Sequence, residues 1–141
     1  ALMEHAPVPI RISDSLPDGI LALYKPETRE ILIRKGMDAG NIFRALSQEL
    51  AHAEMDKGDG SYNRSDYTFH AYSVSYMLCK QYGVDTGGYR FDRTPKVLEG
   101  MDAQEIRARL SVIRDAAGEI SGRMNRMLAQ QRQQKQQEPE R

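Results

Sequence analysis

The sequence predicts an α+β fold, a small antiparallel sheet followed by three helices, and three observations carry that expectation. Short β-rich runs are confined to residues 8–34, apolar residues recur at three- and four-residue steps from about residue 38 onwards, and Gly36 punctuates the change of period. Each element follows in order. After a loose arm containing HAPVP come VPIRI (8–12), ILALY (20–24) and EILIR (30–34). The last two flank KPET, whose proline and small polar residues favour a tight turn, so they form a β-hairpin. A helix is expected from about Asp38 to about Lys57, with Ile42, Phe43, Leu46, Leu50 and Ala53 as one apolar stripe. The polar, glycine-containing KGDGSYN ends it. Ser65 is the expected N-cap of a second helix over 66–82, apolar nearly all round and hence the buried central helix. A glycine-rich connection, YGVDTGGYRFDRTP, leads to a long amphipathic helix over 102–128, whose stripe is Ile106, Leu110, Ile113, Ala117, Ile120, Met124 and Met127.

The 141 residues suffice for one domain, placed at 1–128, and the polar AQQRQQKQQEPER (129–141) is expected to be frayed helix or disorder. The start at Ala1 suggests a piece excised from a larger protein. Lys+Arg and Asp+Glu both number 20, which removes a net field toward nucleic acid or an anionic membrane. No apolar run approaches a membrane span and no leader pattern precedes a cleavage site, so a cytoplasmic protein without a membrane partner is expected. The single cysteine, Cys79, excludes an internal disulfide and a cysteine-based zinc cluster, and is read as a small core residue.

The chemistry concentrates in ALSQELAHAEMD (45–56). A metalloprotease helix carries His-Glu-x-x-His: two imidazoles one turn apart on one face take two tetrahedral zinc positions, and the glutamate takes a proton from the zinc-bound water. Here Glu49 and His52 stand in register, while the first position is Gln48, whose neutral amide is a poor zinc donor.

The surroundings extend the pattern. YKPETREILI (24–33), then LSQELAHAE, then FHAYSVSYMLC followed by YGVDT, and later LSVIRDAAGEI, occur in an order that resembles the zincin-like metallopeptidase domains of the ImmA/IrrE type. The resemblance is nearest to the ArdC- and LtrC-like versions in proteins of conjugative elements, and it covers about residues 20–128. It implies a zincin-like fold with an HExxH-type helix after the hairpin. It also implies a metal site of two histidines on that helix and a glutamate on the next. Those positions fall on Gln48, His52 and Tyr72, and the general-base position on Glu49, so two of three ligands are replaced.

His70 could substitute, but at about 100° per residue it lies about 160° round the helix from Tyr72 and is expected to face away. Glu54 points off the site face, and His5 lies in the loose arm. The expectation is therefore that Gln48, Glu49, His52 and Tyr72 fill the former metal cavity with a mutual hydrogen-bonded cluster. Functionally this gives a metallopeptidase-related domain of a mobile-element protein of the conjugation or antirestriction type. With the metal site degenerate it would be a pseudoenzyme without cofactor, with a protein partner or other domains of a longer chain as its contacts. The alternative is an active zinc metallopeptidase, with Glu49 as base and His52 plus noncanonical ligands, cutting a partner such as a repressor. A third class, nucleic-acid binding through Arg107, Arg109, Arg114, Arg123 and Arg126, is weakened by the interleaved Asp115 and Glu119. No phosphate loop or nucleophile elbow is present.

Overall fold

The computed structural model describes residues 6–91 and 100–137; His5, part of the connection before the third helix, and the last four residues lie outside them. The element order is β1 (Ile10–Ser13), β2 (Ala22–Lys25), β3 (Glu30–Arg34), α1 (Ala39–Met55), α2 (Arg64–Tyr82) and α3 (Ala103–Gln137).

β2 and β3 pair antiparallel as the expected hairpin, with Tyr24 opposite Ile31 and Ala22 opposite Ile33. All four side chains are buried, because period-two alternation puts them on the face that α1 covers. The sheet as a whole corrects the all-antiparallel expectation. Its order is β1-β3-β2, and β1 runs parallel to β3. Residues 14–21 reverse the chain and set β2 one place further out, leaving the central position to β3, which turns back at KPET and completes the sheet.

α1 starts at an N-cap, Asp38, whose carboxylate accepts from the Asn41 N–H at 2.8 Å. α2 begins two residues before the expected start: Asn63, not Ser65, is the cap, and its side chain accepts from the Ser65 N–H. It ends at Gly83, whose φ of 73° suits a residue without a Cβ. The two helices meet through small residues. Ala51 and Ala71 are fully buried, and the Ser47 and Ser75 hydroxyls hydrogen-bond across the seam at 2.7 Å. α2 packs on both α1 and α3 but is not the all-round buried central helix expected: of its 19 residues only His70, Ala71, Val74, Ser75, Leu78 and Cys79 are buried, Met77 is exposed, and α1, which meets the sheet and both other helices, holds the centre.

Only part of the third stripe is used. Ile113, Ala117, Ile120, Met124 and Met127 are buried, together with Ala116, whereas Leu110 remains 49% exposed. Full burial therefore begins at Ile113, about two turns past the first stripe position, Ile106, and Arg123 locks the helix to Glu54 of α1 with an ion pair. At its far end the helical backbone runs to Gln137, through most of the segment expected to fray. Among the described residues no helix is long and apolar enough to cross a membrane.

Candidate functional site

α1 directs Glu49, His52 and Asp56 toward the sheet and the 57–63 loop, and all three are buried. Glu49 has no free oxygen. Its Oε1 accepts from the Tyr24 backbone N–H at 2.8 Å and from Arg64 Nη1 at 2.6 Å, while Oε2 accepts from Arg64 Nη2 at 2.9 Å. Tyr24 lies on β2, an edge strand among the described residues, and this carboxylate caps a strand donor that no described strand pairs. The Arg64 guanidinium makes the two-pronged pair typical of arginine with a carboxylate, and Glu49 holds its pKa above the ordinary value.

His52 Nδ1 hydrogen-bonds the Tyr62 hydroxyl. Burial, then the charge of Arg64 and the neighbouring His70, pushes His52 down to about 3, so the ring is neutral near pH 7. Tyr62 stacks on Tyr67, with centroids 5.2 Å apart, and Tyr67 leans on His70 at 5.2 Å. Asp56 accepts from the Tyr24 hydroxyl at 2.6 Å and from the Gly58 N–H at 2.8 Å, and pairs with Arg29 at 3.7 Å. Burial and the Asp56 carboxylate raise Tyr24 to about 12.

His70 sits away from Tyr72, as the helix angle requires, and that direction leads into the interior beside His52. The ring is fully buried with neither nitrogen hydrogen-bonded among the described residues, and burial, then Arg109, lowers it to about 4. It is near enough to His52 for the two to repel when charged.

Gln48 and Tyr72 belong to a different place. They line a cavity of about 350 Å³ with Arg44, Asp85, Gly88 and Tyr89. The Tyr72 hydroxyl accepts from the Arg90 N–H, its ring meets that of Tyr89 at 4.8 Å, and Gln48 lies within reach of the Tyr89 hydroxyl. The Tyr89 hydroxyl in turn bonds Ser75, and burial raises it to about 12.

The expected four-residue cluster is therefore not formed: among the described residues, Glu49, His52 and Tyr72 each find hydrogen-bond partners outside that set. One turn of helix, about 6 Å along the axis between positions four apart, divides Gln48 from His52. The two share a face of α1, but each has a different tyrosine for company, Tyr89 for Gln48 and Tyr62 for His52. Tyr62, Arg64 and Tyr89, which complete the arrangement, were not singled out in the sequence. The loop KGDGSYN read only as a helix stop, and the one available signal was that a glutamate on a packed helix face needs a cation.

The donor set does not fit a resident zinc ion. Among the described residues no group of three or more His, Cys, Asp or Glu side chains converges to hold a metal. Gln48 and Tyr72 are weak donors on the far side, and Glu49 is held by Arg64. The other nearby carboxylates are engaged as well, Glu54 by Arg123 and Asp56 by the Tyr24 hydroxyl, the Gly58 N–H and Arg29. Compared with known protein families, curated proteins and solved structures, the chain matches none.

Proposed function

We propose that this chain is a zincin-like domain of the ImmA/IrrE type, nearest to the ArdC- and LtrC-like versions, that has exchanged catalysis for a structural or interaction role within a mobile-element protein. The element order supports this: a hairpin, then the helix bearing Glu49 and His52, then a second helix and a long closing helix. The observation that carries the loss of catalysis is the state of Glu49, whose two oxygens serve a β-strand donor and a guanidinium. A carboxylate so engaged cannot take a proton from water without first breaking an ion pair. Its contacts in the cell would be a protein partner or further domains of a longer chain, in the cytoplasm.

One observation favours the alternative of a working metallopeptidase: His52 and His70 are two neutral imidazoles on adjacent helices, and neutral imidazole is the metal-binding form. Metal content of the purified chain, followed by peptidase activity with and without chelator, tests the choice. The expected outcome is substoichiometric zinc and no chelator-sensitive cleavage of a protein substrate. Stoichiometric zinc that disappears in His52→Ala, together with chelator-sensitive cleavage, would establish the enzyme instead.

A further inference from the structure

The cavity that contains Gln48 and Tyr72 has the makings of a binding site in its own right. Its cation, Arg44, is fixed in the plane of its guanidinium by two acceptors: Nη1 donates to the Asp85 carbonyl at 3.1 Å and Nη2 to the Asn41 side chain at 2.9 Å. A guanidinium has five N–H donors, so two are spent on holding it and three remain. Arg44 makes no ion pair among the described residues. Its charge is therefore held in place in a cavity without an ion-pair partner among the described residues, an arrangement suited to a planar, two-oxygen anion.

The walls supply the rest. Tyr72 and Tyr89 lie 4.8 Å apart, and Phe91 extends this aromatic surface at 5.2 Å from Tyr72. The Tyr72 hydroxyl accepts from the Arg90 N–H, which leaves its own proton to donate. Gln48 adds an amide that can donate or accept. A volume of about 350 Å³ is at the small end of ligand sites and suits a single-ring molecule. Arg44 is the one cation among the described lining residues and Asp85 lines the same cavity, so a dianion, whose desolvation cost rises more steeply with charge than its attraction to a single guanidinium, is less well matched than a monoanion.

We propose that this cavity binds a small aryl carboxylate, with the carboxylate on Arg44 and the ring against Tyr72 and Tyr89. The site stands independently of the zincin reading, since none of its contacts involves Glu49 or His52.

The test is an amide NMR titration of the whole chain with benzoate, alongside benzyl alcohol as the uncharged analogue and phenyl phosphate as the dianion. Benzoate should give saturable shifts confined to amides around residues 44–48, 72 and 85–90, with benzyl alcohol and phenyl phosphate both weaker. Arg44→Gln should weaken benzoate about tenfold or more, the scale of a charged hydrogen bond. Arg44→Lys keeps the charge and loses the fork, and should fall between the two. It also serves if Arg44→Gln does not fold. Arg114→Gln, on the exposed face of α3, should bind as the parent does. Absence of saturable benzoate binding overturns the proposal, as would an undiminished affinity in both Arg44 variants. Tighter binding of phenyl phosphate than of benzoate would overturn the assignment of charge.

Discussion

Replacing Glu49 with alanine separates a structural carboxylate from a catalytic one. In the folded chain this side chain is only 3% exposed, and it satisfies the Tyr24 N–H at the outer edge of β2. Alanine leaves that donor without a partner, a loss of about 1–3 kcal/mol. The Arg64 arm contributes less: its side chain is 44% exposed, so water takes over much of the lost pairing and about 0–1 kcal/mol is its share. Together a destabilisation of about 2 kcal/mol is expected, which at about 2 kcal/mol per molar urea lowers the unfolding midpoint by about 1 M. Glu49→Gln, which still offers an oxygen to Tyr24, should lose less. The double variant with Arg64→Ala should return a coupling no larger than about 1 kcal/mol. A carboxylate reserved for proton transfer behaves in the opposite way, because strained or underpartnered active-site groups are commonly replaced without loss of stability, or with a gain. Equilibrium urea unfolding followed by circular dichroism decides the matter. A midpoint for Glu49→Ala at or above the parent's, with an unchanged slope, refutes the clamp.

Acid sensitivity follows from the two buried imidazoles. Both bind fewer protons folded than unfolded, so stability is fully held above about pH 6.5, the unfolded value. It is lost as pH falls from there toward about 4 for His70 and about 3 for His52, by at most about 1.4 kcal/mol per pH unit for each. Urea midpoints measured from about pH 7 to about pH 5 should drop, and a flat profile would contradict the burial of both rings. His70→Leu removes a buried ring whose nitrogens have no hydrogen-bond partner among the described residues; it should stabilise the chain near pH 7 by about 1 kcal/mol and shallow the acid slope. Thermal unfolding that shows a loss instead would mean that His70 has a partner. Tyr62→Phe keeps the stack on Tyr67 but strands His52 Nδ1, and about 1 kcal/mol should be lost in denaturant unfolding. Gly58→Ala should lose about 1 kcal/mol or more, since φ is +77° and the new Cβ would lie 3.0 Å from Arg29 Nη1. A neutral result there would place the 56–60 turn in some other conformation.

Periodicity and punctuation alone determined the α+β class, the hairpin at KPET, and the order and approximate bounds of the helices. These are local properties: side-chain period distinguishes strand from helix, and Asp38 and Gly83 mark ends wherever they occur. The strand order was beyond sequence, because β1 pairs with β3 through a contact that no local pattern encodes. The same holds for the point at which α3 begins to dock, since Leu110 fits the stripe as well as Ile113 does and only the shape of α1 and α2 separates them. At the candidate site the sequence found the right helix and the unusual letters, Gln48, His52 and Tyr72, but not their company. Whether a buried glutamate is a base or a brace depends on which cation reaches it, and Arg64 comes from beyond a loop whose path is set by tertiary packing. Likewise, an angle on α2 placed His70 away from Tyr72, while what lay in that direction, the interior shared with His52, was decided by how the two helices face each other.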